Sequence, residues 1–233
     1  KLEKLADNVR YSIRIHTPDN LRNRCRTTHG PVKRGSSHIH RVFLSNMRSG
    51  AIFPYSDQNW HIFRRKCFFK SLLLKNMSIT LYADGGSRGN PGVAGSGFVI
   101  TDVVQNQRIE GVVPLGYGTN NEAEYAGLIC GLAAALKYGY QEVNIFMDSL
   151  LVVKQVSGAY QVKAENLQPF HRKAQELLRK LVSYKITHVT RSKNTEADHL
   201  SNRAMDFVSG HIQKFREKRG AFEVMRLWLA THL

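Results

Sequence analysis

With 233 residues the chain has room for one sizeable core, or for one domain with an appendage. Thirty-four Lys and Arg against 18 Asp and Glu give a formal charge of +16, which points to a polyanionic partner, either nucleic acid or an acidic membrane surface. No run reaches the ~18 apolar residues that a membrane span needs, and the polar N-terminus lacks the apolar stretch of a secretory signal.

The charge is unevenly placed. Residues 1–76 hold 16 basic and 4 acidic side chains, so +12 of the +16 precedes Met77. Residues 1–61 show no sustained period of either kind, and "IFRRKCFFKSLLLK" (62–75) is the only amphipathic-looking stretch before Met77. His29, His38, His40 and His61 lack metal-site spacing and read as solvated loop histidines. Cys25, Cys67 and Cys130 show no CxxC pattern and cannot all pair. Cys130 sits in an apolar helical pattern, so an intracellular, cytoplasmic setting is expected.

At Met77 the character changes. "MSITLYADGG" alternates, is rich in β-formers and runs into a Gly-rich turn; "GSGFVITDV" and "QRIEGVVPLG" follow. Residues 78–116 therefore predict a three-stranded antiparallel meander. "TNNEAEYAGLICGLAAALKYGY" predicts a helix capped by Thr119, with Glu122 completing a capping box. Next come a strand, "EVNIFMD", and a short helix, "SLLVVKQVSG", ended by Gly158. A second helix, "AENLQPFHRKAQELLRKLVS", leads to a last strand, "YKITHVTR", and a last helix, "NTEADHLSNRAMDFV". The order βββαβααβα implies an α/β fold on a mixed sheet, antiparallel at first and parallel after each helical crossover. The tail 209–233 is a basic stretch followed by "FEVMRLWLATHL", a candidate helix with no assigned place.

Four acids fall at element ends in this scheme. Asp84 ends the first strand and Asp148 the fourth, so both emerge at the carboxyl edge, where open α/β sheets bind ligands. Glu124 lies one turn inside the first helix, and Asp198 in the first turn of the last. Each has a plain alternative: an Asx turn at Asp84, an N-cap at Asp148, and capping boxes of Asp198 with Thr195 and Glu124 with Asn121. Glu122 already fills the box of its helix, which leaves Glu124 without a structural task. Four unpaired carboxylates in one place would repel one another and raise each other's pKa values. Two hard divalent cations remove that cost, and two such ions suit phosphodiester hydrolysis.

"YADGGSRGNPG" (82–92), "TNNEAEYAGL" (119–128), "FMDSLLVV" (146–153) and "NTEADHLSNRAMD" (194–206) resemble, in order and spacing, the four motifs of type 1 ribonuclease H. The resemblance covers roughly 77–208. It implies a five-stranded mixed sheet flanked by helices, with Asp84, Glu124, Asp148 and Asp198 as catalytic, metal-binding acids. It further implies two Mg²⁺ ions, replaceable by Mn²⁺, and cutting of the RNA strand of an RNA–DNA hybrid to leave 5′-phosphate and 3′-hydroxyl ends. An RNA strand is told apart by its 2′-hydroxyls, and the main chain at Gly85 and Gly86 is able to approach it closely. By resemblance Asn90, Asn120 and Asn121 hydrogen-bond across the minor groove and Thr119 holds a phosphate of the DNA strand; helix-start capping is the alternative for Asn120 and Asn121.

Two departures from the family stand out. "SGAYQVKAENLQPF" is too short for the basic protrusion of many members, and "RSKNTEAD" replaces the histidine-bearing flexible loop, as in the short-loop archaeal and bacterial branch. Arg191 or Lys193 is the candidate substitute for that histidine. His188 reads as a packing residue on its strand, and His199 as incidental. Residues 1–76 resemble no hybrid-binding domain. They are read as a disordered basic arm, as an organellar presequence, or, the favoured expectation, as sequence upstream of a true start at Met77. The expected protein is a monomer without obligate protein or membrane partner. A hybrid- or duplex-RNA-binding module that does not cut, or another nuclease of the same fold, is the rival.

Overall fold

The computed structural model describes Ile13–His16, residues 78–211, Phe215 and residues 220–233. Expectations for the 62–75 stretch, for His29, His38, His40 and His61, and for Cys25 and Cys67 lie outside the described residues. Cys130 is a buried free thiol.

Alternating apolar residues build the meander. Strands β2 (Ser78–Gly89), β3 (Gly92–Asp102) and β4 (Gln107–Gly118) pair antiparallel in sequence. The expected Gly-rich turn after Asp84 is not a turn. Strand β2 continues through Gly85–Gly89, paired residue by residue with β3 as far as Gly89↔Gly92. Ladder hydrogen bonds to β3 satisfy this backbone and outweigh the low strand preference of glycine. The reversal falls at Asn90-Pro91, whose peptide bond is cis. Strand β5 (Glu142–Met147) then pairs parallel with β2, and β6 (Ser183–His188) parallel with β5.

Among the described residues the sheet has six strands rather than the five expected. Ile13–His16 form β1, antiparallel to β4 with Ile13 opposite Gly111 and His16 opposite Arg108, and the order is β1-β4-β3-β2-β5-β6. Four residues, Ile-Arg-Ile-His, are too few to stand out as a period. Their pairing gives the N–H and C=O groups along β4 partners they would otherwise lack.

Helices cover both faces. Helix α1 (Asn120–Lys137) opens with the expected Thr119–Glu122 capping box. Helices α2 (Leu150–Val156) and α3 (Gln168–Leu178) follow β5, the latter entered through a 3₁₀ turn, Glu165–Leu167. Ile79, Leu81, Ala83, Phe98 and Ile100 face a core shared with Tyr125, Leu128, Ile129 and Leu132 of α1. The alternate residue Val99 joins Val112 on the opposite face, under Leu200 and Ala204 of α4 (Thr195–Gly210). The tail supplies α5 (Ala221–His232), whose Ala221, Met225 and Trp228 enter the main core at helical spacing. Trp228 meets Phe98 edge-on at 6.3 Å, and Phe222 meets Phe170 at 5.0 Å. The previously unplaced tail thus closes the core over α1 and β4.

Candidate metal centre

Register brings the first two acids together. Strands β2 and β5 are aligned with Tyr82 opposite Phe146, so two residues further on Asp84 comes level with Asp148, at the carboxyl edge of β5. Glu124 arrives from α1, which lies directly on the β2 main chain. A Cβ placed on Gly85 would stand 2.1 Å from the carbonyl carbon of Ala123 and 2.3 Å from the nitrogen of Glu124. One on Gly127 would stand 2.6 Å from the Asp84 carbonyl oxygen. Only glycine admits this approach, and it lets the Gly85 N–H donate to the Glu124 carboxylate. One oxygen each of Asp84, Glu124 and Asp148 then lies within 4.8 Å of the others.

These acids are costly where they are. Asp84 and Glu124 are 5% and 6% exposed. Burial pushes the Asp84 carboxyl up to about 7, against the pull of a hydrogen bond from Ser201, while Asp148 and Asp198 add repulsion. Burial pushes Glu124 well above its ordinary value, with Asp84 and Asp148 adding to the shift. Among the described residues the Glu124 Oε2 is buried without a hydrogen-bond partner. An orphaned carboxylate oxygen beside two further carboxylates is an oxygen-only donor set of the kind hard divalent cations take. The residues present therefore fit such an ion.

Asp198 is placed differently. Its Oδ1 accepts from Arg191 Nη2 at 2.6 Å and Nε at 3.1 Å, and its Oδ2 from Asn202 Nδ2 at 3.3 Å. Three of the four acids thus converge, while the fourth lines the same cleft in the grip of Arg191. The capping alternatives have no support for Asp148 or Asp198, because α2 and α4 begin without a side-chain cap bond. Asp84 lies within a paired strand, so an Asx turn is excluded for it too.

Of the substrate candidates, Gly85, Gly86, Asn120 and Arg191 line the cleft. Asn90 stands at the β2–β3 turn, where its Oδ1 accepts from the Asn120 N–H at 3.2 Å, tying the turn to the start of α1. The Thr119 hydroxyl is engaged with Glu122 at 2.8 Å. Asn121 is half-buried near the start of α1, and Lys193 and His199 are exposed. His188 is not the packing residue expected: it is exposed at the end of β6, and its Nε2 donates to the Asp148 carbonyl at 3.2 Å. As the last residue of a strand it projects past the core.

Sequence reasoning missed Asn194 and Ser201, which bind two of the acids directly. Asn194 Nδ2 donates to Asp148 Oδ1 at 2.8 Å, and Ser201 Oγ to Asp84 Oδ2 at 2.5 Å. A signal existed. Asn194, Asp198 and Ser201 are spaced i, i+4, i+7, which places them on one face of the helix. Arg88, which lines the cleft and pairs with Asp206 at 2.6 Å, was also passed over.

Residues 82–204 match a family model described as reverse transcriptase-like. The chain is 44% identical over 131 residues to the bifunctional protein Rv2228c of Mycobacterium tuberculosis, covering 56% of this chain but only 36% of that one. The solved N-terminal RNase H domain of Rv2228c superposes with a TM-score of 0.56 at 42% identity, over 58% of this chain and 99% of that domain. Ribonuclease HI of Halobacterium salinarum is 42% identical over 125 residues, 54% of this chain and 63% of that protein. The crystal structure of that organism's RNase H1 gives a TM-score of 0.53 at 40% identity, over 55% of this chain and 98% of that chain. LC11-RNase H1, solved in complex with an RNA/DNA hybrid, gives 0.53 at 40% identity, over 56% and 98% of the two chains.

Proposed function

The chain belongs to the reverse transcriptase-like family, and we propose that it is a ribonuclease H. In this reading it cuts the RNA strand of RNA–DNA hybrids internally, leaving 5′-phosphate and 3′-hydroxyl ends. The observation that carries the reading is the meeting of Asp84, Glu124 and Asp148 within 4.8 Å, with a buried Glu124 oxygen left unpaired. Support comes also from relatives at 40–42% identity that are named RNase H, one of them solved on a hybrid.

Asp84, Glu124 and Asp148 would hold one Mg²⁺, and Asp198 would contribute to a second, with Mn²⁺ a substitute. Bound there, the ions supply an activated water and charge stabilisation on the leaving oxygen of an in-line displacement. The chain's own part is placement. Gly85 and Gly86 present main chain to the sugar-phosphate backbone along the cleft, the room for a Cβ on each being already taken by Ala123 of α1 and Met205 of α4. Asn120 offers a donor and an acceptor at the cleft, the pair needed to read a 2′-hydroxyl. Arg191 brings a guanidinium to the rim, beside Asp198, where a phosphate would lie. Asn90, Asn121 and Thr119 complete the proposed substrate contacts at the turn and helix start.

Residues 77–208 hold the catalytic acids in this proposal, with Ile13–His16 of the basic extension 1–76 adding the edge strand β1 and Ala221–His232 of the tail 209–233 closing the core. A cytoplasmic monomer needing no protein partner is the setting proposed; no helix among the described residues is long and apolar enough to cross a membrane. The chain spans 36% of the length of the first curated relatives it matches, so activities of their remaining parts are not carried over.

The test is cleavage of a labelled RNA–DNA hybrid beside single-stranded RNA, duplex RNA and duplex DNA, with wild type and Asp148→Asn in parallel. Cutting confined to the hybrid, dependent on Mg²⁺ or Mn²⁺ and reduced at least ~100-fold by the substitution, is the expected outcome. Folded wild-type protein that binds hybrid in EDTA but cuts it with neither metal would leave a binding module as the better account.

A further inference from the structure

We propose that Asn194 and Ser201 are positioning residues that brace Asp148 and Asp84 from α4 and thereby set the metal affinity of the centre. The inference rests on the metal-nuclease reading above.

Two carboxylates on neighbouring strands repel when both are ionised, and an aspartate side chain is free to swing away from its neighbour unless something holds it. Asn194 holds one. Its Nδ2 spans the Ala83 carbonyl at 3.0 Å and Asp148 Oδ1 at 2.8 Å, tying the β5 acid to the main chain of the residue just before Asp84. Both partners are acceptors, so the amide must present its NH₂ group; turned over, it would set oxygen against oxygen. Ser201 holds the other. Its hydroxyl lies 2.5 Å from Asp84 Oδ2 and 2.9 Å from the Asp198 carbonyl oxygen. Asn194 and Ser201 are each 1% exposed. Both sit on α4 or its cap, and α4 packs on β2, β3 and β4. A rigid helix, rather than a loop, therefore governs the Asp84–Asp148 separation.

Plain structural tasks do not account for the pair. Asn194 is the N-cap of α4 by position, yet its side chain makes no cap bond. Among the described residues its Oδ1 is buried without a partner, a desolvation cost that a purely stabilising residue would not carry. The single Ser201 hydroxyl proton has two acceptors in reach, the Asp198 carbonyl of its own helix, where buried serines commonly bond, and the nearer Asp84 Oδ2. The neighbours of Ser201 on the buried side, Ala197, Leu200 and Ala204, are apolar, and alanine would suit that packing equally well.

The test is isothermal titration of the full chain with Mg²⁺ and, separately, Mn²⁺, without substrate, for wild type, Ser201→Ala, Ser201→Thr and Asn194→Asp. Partners that orient metal ligands typically contribute 10–100-fold in affinity. Ser201→Ala should bind about tenfold more weakly, and Ser201→Thr, which keeps the hydroxyl, should recover most of the loss. The metal concentration for half-maximal cleavage should rise by the same factor, with the KM for hybrid unchanged within about twofold. Asn194→Asp, which trades the donor for a further anionic oxygen, should bind with an altered Mg²⁺-to-Mn²⁺ preference, and wild-type binding of both ions by it would overturn the Asn194 half of the brace. Should Asn194→Asp not fold, the Ser201 pair decides alone. Ser201→Ala binding metal as wild type does would overturn the brace while leaving the nuclease reading intact. A wild type that takes up neither ion would overturn both.

Discussion

Replacing Asp84 by Asn should stabilise the metal-free protein at neutral and alkaline pH while destroying metal binding. The Asp84 carboxyl is raised from 3.8 to about 7, chiefly by burial. The folded protein thus holds a proton that the unfolded chain has lost, and stability falls as pH rises between those values. Three pKa units correspond to about 4 kcal/mol in full. Between pH 5 and 8 the share lost is about 2–3 kcal/mol, which for a domain of this size is a Tm drop of about 5–10 °C. Asparagine carries no titratable charge and keeps an oxygen for the Ser201 hydroxyl. The assay is thermal unfolding in EDTA at half-unit steps from pH 4.5 to 8.5. Wild type should lose stability across this range and Asp84→Asn much less, with the two converging at the acid end. Glu124, displaced in the same direction, leaves the variant a residual slope. Mg²⁺ at pH 8 should restore the wild type by mass action and do little for the variant. Parallel pH profiles, or a wild type that gains on the variant as pH rises, would refute the reasoning.

Two further substitutions probe how the centre is positioned. Gly85→Ala would drive a methyl group into the Ala123 carbonyl; it should cost about 1–3 kcal/mol in urea unfolding and abolish cleavage by displacing α1 and Glu124. Trp228→Ala removes the ring that packs edge-on against Phe98 and should cost about 3–5 kcal/mol, read as a fall in the denaturation midpoint, with kcat on hybrid unchanged in the fraction still folded.

The sequence was informative where spacing maps directly onto geometry. The Thr119–Glu122 box follows from a three-residue offset that any helix start realises, and the Asp84–Asp148 pairing follows from the parallel register of their strands, although Asp84 lies within β2 and not at its end as the sequence suggested. It was uninformative where tertiary contact decides. Nothing local in Gly85–Gly89 reads as strand; that segment is extended because β3 lies alongside to complete its hydrogen bonds. The same holds for Ile13–His16, whose only recommendation as a strand is the bare edge of β4. Asn194 and Ser201 were overlooked for a related reason, since attention to charged ligands passes over the neutral donors that orient them. Their helical spacing from Asp198 was visible throughout, but its meaning depends on α4 lying across β2, a long-range fact. An acidic centre that the fold destabilises is held by neutral groups scattered along a helix. The acids therefore stand out in the sequence as a motif, while the groups that make them usable emerge only from the packing of α4 against the sheet.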